Sequence, residues 1–190
     1  MKFDVILAGV GGQGVLSVSA IIAASALKEG LMVKQSEVHG MAQRGGAVLT
    51  NLRISDQPIH SDVIPRGTAD LILSMEPLES LRYLSWLSPG GTVITSTEPV
   101  INIPDYPQLS TLLDQIRALP HALLVDAPRL AKETATARAV NVVMVGAAAS
   151  LLPIGPERIE AYIREAFARK GDAVAEANVR AFRLGRETVH

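Results

Sequence analysis

The sequence of 190 residues contains no cysteine. A chain without cysteine cannot form disulfides, use a thiolate nucleophile, or hold zinc or iron–sulfur clusters through thiolate ligands. Charge is also scarce, because Asp, Glu, Lys and Arg make up 19% of the residues, below the usual share of about a quarter. The net charge of -1 provides no basic field of the kind that attracts nucleic acid or an acidic membrane, so we expect neither partner.

Long hydrophobic runs are missing as well. The longest run, residues 140–152, contains Asn141 and stops at Pro153, so it is too short to span a bilayer. Near the N-terminus, Asp4 interrupts an apolar run before it reaches the length of a signal-peptide core, and we expect a cytoplasmic protein. A hydrophobic content of 48% with so little charge fits either an alanine-rich α/β protein or a chain partly covered by a partner. We favour the covered chain.

A glycine-rich segment stands near the start of the chain. The apolar run at residues 3–8 is followed by the sequence GVGGQG and then by a helix-like stretch over residues 15–29. Strand, glycine turn and helix in this order are typical of the start of a doubly wound nucleotide-binding fold, where backbone N–H groups meet an anion at a helix N-terminus. The alternative is a tight turn that uses glycine for close packing alone. The candidate binding residues in this turn are Gly9, Gly11, Gly12, Gln13 and Gly14.

Strand and helix patterns alternate through the rest of the chain. The predicted strands cover residues 3–8, 31–35, 47–54, 59–64, 70–75, 92–96 and 122–125. Helices are predicted over residues 15–29, 77–87, 109–119, 128–134, 139–152, 156–169 and 172–186. We therefore expect one α/β domain over residues 1–190, with three α/β/α layers, a mostly parallel Rossmann-like sheet, and a helical C-terminal part from about residue 128.

A second segment, residues 36–46, has neither helical nor strand periodicity and is predicted to be a functional loop. His39 and Arg44 supply hydrogen-bond donors suited to phosphate or carboxylate, while Gly45 and Gly46 free the backbone. An exposed loop without a ligand is the alternative. Because parallel strands end at one edge of the sheet, we expect this loop beside residues 9–14, which favours anion contact or a subunit interface.

Three acidic residues invite a functional interpretation. Glu37 lies near the position of a ribose-binding acid, but it begins a polar loop, so we do not favour NAD binding. Glu76 precedes Pro77, and Asp126 precedes Pro128; both are predicted to be helix caps at the same edge of the sheet. Asn141 is expected to be a buried amide bonded to the backbone. Nothing in the sequence forms a complete catalytic constellation.

Four segments together resemble one family. They are residues 9–14 (GVGGQG), 37–46 (EVHGMAQRGG), 69–84 (ADLILSMEPLESLRYL) and 141–147 (NVVMVGA). These segments resemble the gamma-type subunits of 2-oxoacid:ferredoxin oxidoreductases over nearly the whole chain. Within that family, the resemblance is greatest to the free-standing beta subunit of the indolepyruvate branch.

The resemblance implies an enzyme subunit that does not act alone. The implied reaction is CoA-dependent oxidative decarboxylation of an arylpyruvate to aryl-acetyl-CoA and CO2, with reduction of ferredoxin. Thiamine diphosphate and [4Fe–4S] clusters are the cofactors of such complexes. This chain lacks cysteine and the family's Gly-Asp-Gly diphosphate motif, so both groups are expected on a large partner subunit.

The resemblance leaves the role of this chain's own residues open. Our hypothesis is that residues 9–14 and 39–46 face the partner's active site and help to bind the phosphates of coenzyme A, with Arg44 as the charged donor. The alternatives are a gamma subunit acting on pyruvate, branched-chain oxoacids or 2-oxoglutarate, a stand-alone NAD-binding dehydrogenase, and a structural module without ligand contacts.

Overall fold

The computed structural model describes residues 1–40, 45–134 and 139–189. The strands are β1 (Lys2–Val10), β2 (Met32–His39), β3 (Ala47–Ser55), β4 (Ala69–Ser74), β5 (Leu87–Ser96) and β6 (Ala122–Val125). The helices are α1 (Val15–Lys28), α2 (Pro77–Arg82), α3 (Leu109–Arg117), α4 (Ala127–Lys132), α5 (Val140–Ala148), α6 (Pro156–Ala168) and α7 (Asp172–Glu187), with a 3-10 turn at Leu84–Trp86 after α2.

The six strands form one sheet in the order β2-β3-β1-β4-β5-β6. The pairs β1–β4, β4–β5 and β5–β6 are parallel. β3 is the exception, since it runs antiparallel to both β1 and β2. The predicted α/β class with a mostly parallel sheet is confirmed, with β3 inserted between the first two strands of the βα rhythm.

Helices cover both faces of the sheet, and β1 shows why. Val5 and Leu7 pack into the larger core, with side chains from α1, α5, α6 and α7. Ile6, between them, packs into a second core with residues that include Ile72 and Val93. Because successive strand residues point to opposite faces, the unbroken apolar run over residues 5–8 of β1 must be buried on both sides. The predicted three-layer arrangement is confirmed.

The strand predicted over residues 59–64 is absent, and this prediction was wrong. The guanidinium of Arg53 donates to the carbonyl oxygens of Ser61 and Val63, at 3.0 and 3.1 Å. The N–H of Ile64 donates to the Asn51 side chain at 3.1 Å. These backbone groups are therefore bound by side chains, whereas a strand would have paired them in a ladder.

Three element boundaries also differ from the predictions. Residues 36–39 are the end of β2, paired with residues 48–51 of β3, although we predicted a loop. β2 is an edge strand, and edge strands carry polar residues without losing their pairing. β5 begins at Leu87 rather than at residue 92, and α2 ends at Arg82.

The C-terminal helical region is confirmed as α4 to α7. α5 is shorter than predicted, ending at Ala148. Among the described residues, every helix falls short of the length and apolar character needed to cross a bilayer.

Candidate functional site

The glycine turn between β1 and α1 is tightly packed against its neighbours. A Cβ atom on Gly9 would lie 2.8 Å from Cγ2 of Val15 and 3.1 Å from Cβ of Met75. Gly14 caps α1 in the left-handed region, with φ of 79°, and a Cβ there would lie 2.8 Å from Nδ2 of Asn141. The turn therefore needs glycine at both positions, for close approach at Gly9 and for backbone conformation as well at Gly14.

Gln13 fixes the shape of this turn. Its Oε1 accepts the Val10 N–H at 2.8 Å, and its Nε2 donates to the Met75 carbonyl oxygen at 3.0 Å. Met75 directly follows β4, so the side chain ties the turn to the neighbouring strand. The second N–H of this amide has no acceptor among the described residues.

The two predicted glycine segments meet. The Gly11 N–H donates to the Gly46 carbonyl oxygen at 2.8 Å, and the Gly45 N–H donates to the Gly11 carbonyl oxygen at 3.3 Å. These two bonds continue the β1–β3 ladder, whose last pair is Val10 and Ala47. The structure thus brings together Gly9, Gly11, Gly12, Gln13, Gly14, Gly45 and Gly46. Arg44 and the side chain of His39 lie outside the described residues.

Four backbone donors remain at this place. The N–H groups of Gly12, Gly14, Val15 and Leu16 have no acceptor among the described residues. No acidic residue lies in the first turn of α1, so no carboxylate of the helix itself opposes the positive end of its dipole. A helix N-terminus with free amides suits an anion.

A cavity of about 340 Å³ opens beside these amides. Its lining residues are Gly12, Gln13, Gly14, Met75, Ser96, Glu98, Val140 and Asn141. Asn141 is half-buried, and its side chain has no hydrogen-bond partner among the described residues, contrary to our expectation of a buried, backbone-bonded amide. Glu98 is exposed and places a carboxylate at the wall of this cavity.

The acidic residues that follow the carboxyl ends of the parallel strands have structural roles. Glu76 caps α2 by accepting the Glu79 N–H at 2.8 Å, and Asp126 caps α4 by accepting the Arg129 N–H at 3.2 Å, which confirms the capping interpretation. Glu37 lies in β2, and β3 separates that strand from β1. Two strand spacings, about 10 Å, therefore stand between the Glu37 backbone and the glycine turn.

Sequence reasoning missed two residues of this site. Asn102, in the segment between β5 and α3, donates from Nδ2 to the Gly45 carbonyl oxygen at 2.7 Å. Tyr106, in the same segment, donates its hydroxyl to Oε1 of Glu76. The segment is rich in proline and has no periodicity, so only its tyrosine and asparagine could have drawn attention. Within the described ranges, no group of three or more His, Asp or Glu residues is placed to hold a metal ion.

Sequence comparison gives one family for most of the chain. Residues 4–188 match the family of pyruvate ferredoxin/flavodoxin oxidoreductases. The chain is 36% identical to the indolepyruvate oxidoreductase subunit IorB of Archaeoglobus fulgidus, over 97% of this chain and 94% of that protein. It is also 36% identical to IorB of Methanothermobacter thermautotrophicus, over 97% of this chain and 96% of that protein.

Solved structures share the fold. The pyruvate oxidoreductase subunit PORC of Thermotoga maritima superposes with a TM-score of 0.76 at 24% identity, covering 98% of this chain and 96% of that one. The 2-oxoglutarate:ferredoxin oxidoreductase of Magnetococcus marinus, solved with 2-oxoglutarate, coenzyme A and succinyl-CoA bound, gives a TM-score of 0.77 at 22% identity. That match covers 98% of this chain and 31% of the longer one.

Proposed function

Because the chain belongs to the pyruvate ferredoxin/flavodoxin oxidoreductase family, we propose that it is a non-autonomous subunit of an indolepyruvate-type oxidoreductase. The relatives that are 36% identical carry that name and match this chain along nearly their full length. The complex would convert an arylpyruvate, coenzyme A and oxidised ferredoxin to aryl-acetyl-CoA, CO2 and reduced ferredoxin. Pyruvate, branched-chain oxoacids and 2-oxoglutarate are the alternative substrates.

This chain does not carry the groups that such a reaction needs for carbon–carbon cleavage and electron transfer. It has no cysteine to hold an iron–sulfur cluster. We assign thiamine diphosphate and the [4Fe–4S] clusters to a larger partner subunit, where they would supply decarboxylation and electron transfer to ferredoxin. The low surface charge expected from the composition supports a chain that is partly covered by that partner.

Our proposal for this chain's own residues is that they bind the phosphates of coenzyme A. The observation that carries it is the set of four free amides at the start of α1, beside the cavity of about 340 Å³. Gly12 and Gly14 would donate backbone N–H groups, and Gln13 its remaining amide hydrogen. Arg44 and His39 would add side-chain donors, and the Arg44 guanidinium suits a bidentate phosphate contact. Gly9, Gly11, Gly45 and Gly46 would contribute the shape of the site.

The test is isothermal titration of coenzyme A into the assembled complex carrying Arg44→Ala. Loss of a charge-assisted phosphate contact predicts a rise in Kd of about 10- to 100-fold, with a matching loss of kcat/KM for coenzyme A. Arg180→Ala is the matched control, because Arg180 is exposed on α7 and should change neither quantity.

Two other outcomes would replace this proposal. A complex with Arg44→Ala that assembles, binds coenzyme A and turns over normally would support the structural-module alternative. Saturable quenching or enhancement of NADH fluorescence by the full chain would support the nicotinamide-dependent dehydrogenase.

A further inference from the structure

The segment between β5 and α3, residues 97–108, crosses the edge of the sheet where the parallel strands end, and two of its side chains bond to other parts of the chain. Asn102 holds the Gly45 carbonyl oxygen at 2.7 Å. The Tyr106 hydroxyl donates a hydrogen bond to the carboxylate of Glu76, which lies two residues after the end of β4. The segment therefore joins the β2–β3 hairpin to the end of a central strand.

Glu76 is the fixed end of this connection. It is only 1% exposed, and its carboxylate accepts three protein donors. Oε2 accepts the Glu79 N–H at 2.8 Å, while Oε1 accepts the Tyr106 hydroxyl and the Val100 N–H, the latter at 3.4 Å. The helix cap uses one oxygen of Glu76, and residues 97–108 use the other. Breaking these hydrogen bonds is costly, because it would leave the buried carboxylate without donors in the interior of the protein.

These bonds close a ring of contacts that includes two residues of the cavity wall, Gln13 and Met75. Met75, next to Glu76, accepts from Gln13 at 3.0 Å. Gln13 shapes the turn that contains Gly11, and Gly11 pairs with Gly45 and Gly46 of the hairpin. Asn102 then returns the chain of contacts from Gly45 to residues 97–108, and so to Glu76.

We propose that Glu76 is a positioning residue which acts through Tyr106 and Asn102 to hold Gly45 against Gly11 and so sets the shape of the cavity. Glu76 is not itself a lining residue of the cavity; its effect reaches the free amides through residues 97–108. The positioning role depends only on this chain. Its consequence for coenzyme A rests on the proposed function.

Hydrogen exchange of the full chain, read by mass spectrometry, tests the positioning role. Tyr106→Phe removes one hydroxyl, while the ring and the α2 cap remain. Peptides that contain Gly11 or Gly45 should exchange about fivefold faster, which corresponds to the loss of one hydrogen bond. Asn102→Ala should have a similar effect. The double variant should exchange no faster than the faster single variant, because the two links act in series.

Tyr83→Phe is the matched control. Tyr83 is a half-buried tyrosine that packs on Trp86 over the other face of the sheet, so its variant should exchange like the wild type. Wild-type exchange rates at Gly11 and Gly45 in Tyr106→Phe would overturn the proposal. So would a double variant whose effect equals the sum of the two single effects.

Kinetics of the assembled complex separate this inference from the proposed function. With Tyr106→Phe, KM for coenzyme A should rise by a larger factor than kcat falls. Faster exchange with unchanged KM would support the positioning role of Glu76 and would remove coenzyme A from this site. Unchanged exchange would overturn the positioning role, whatever the value of KM.

Discussion

Gly146 of α5 and Gly185 of α7 make reciprocal close contacts where their helices cross. A Cβ atom on Gly146 would lie 2.0 Å from the carbonyl oxygen of Phe182, and one on Gly185 would lie 2.0 Å from that of Val143. The opposing atoms belong to backbone, so no side-chain rotation could relieve either contact. The approach of α5 to α7, and with it the burial of Phe182 in the larger core, requires glycine at both positions.

We expect Gly146→Ala and Gly185→Ala each to lower the free energy of unfolding by about 3 kcal/mol, because the added methyl group must push two helix backbones apart. Urea denaturation of the full chain measures this change. Gly90→Ala is the control, since a Cβ on Gly90 would meet no atom within 4 Å. A Gly185→Ala variant as stable as Gly90→Ala would show that the helices can separate without cost.

A buried ion pair lies at the opposite edge of the sheet from the glycine turn. Asp4 is fully buried, and Arg53 approaches it with both forks of the guanidinium, Nε to Oδ1 at 2.9 Å and Nη2 to Oδ2 at 3.1 Å. Arg53→Ala leaves that carboxylate with Lys2 as its remaining charged partner. We expect a loss of about 3 kcal/mol in the free energy of unfolding.

The comparison for this prediction is Arg129→Ala, measured in the same urea titration. Arg129 is exposed and pairs with Asp126 and Glu133 at the surface. Exposed pairs contribute little, so its loss should cost no more than about 1 kcal/mol. Equal effects of the two variants would mean that Asp4 finds another partner or water when Arg53 is removed.

Glu79 predicts a pH dependence of stability. It is buried, and its Oε2 has no hydrogen-bond partner among the described residues. Burial raises the pKa of this carboxyl group above its usual 4.5, while the nearby Arg82 partly opposes the rise. A raised pKa means that the folded state disfavours the ionised form, so Glu79 destabilises the fold once the pH exceeds 4.5.

We therefore expect Glu79→Gln to raise the urea midpoint at about pH 7 and to leave it unchanged at about pH 3, where the wild-type carboxyl group is protonated in both states. Arg82→Ala serves as the counterpart, because it removes the stabilising charge and should lower stability at neutral pH only. A Glu79→Gln variant that is less stable at pH 7 would show that the Arg82 contact outweighs the cost of burial.

The elements that local patterns predict best are those whose burial is complete. β1 and β4 contain the apolar runs at residues 5–8 and 71–73, whose side chains are buried on both faces of the sheet. The predicted second strand ends too early because three of the four residues from Ser36 to His39 are polar, and β2 accommodates them as an edge strand beside β3. The strand expected at residues 59–64 has suitable apolar residues, but two of its carbonyl groups accept hydrogen bonds from the Arg53 side chain, 8 and 10 positions earlier in the sequence.

The sequence predicts that the two glycine segments lie close together. It does not predict the hydrogen bonds that join them. The glycine spacing placed residues 9–14 at a helix start, and the βα rhythm placed the second glycine segment at the same edge. The bonds between Gly11 and the hairpin depend on the antiparallel insertion of β3, which no local pattern encodes. The contacts of Asn102 and Tyr106 join residues that lie 57 and 30 positions apart in the sequence, and they arise from tertiary packing alone.

The place of β3 also bears on how the N-terminal half of the chain folds. β1 and β2 are joined by α1, yet they share no hydrogen bonds, because β3 fills the position between them. A fragment that stops before Ala47 would have two strands with a gap between them and no ladder. An N-terminal piece that extends through Ser55 contains all of β3, and with it both ladders that join β1 and β2 in one sheet. The unit β1–α1–β2 is therefore not expected to fold in this protein until β3 is also present.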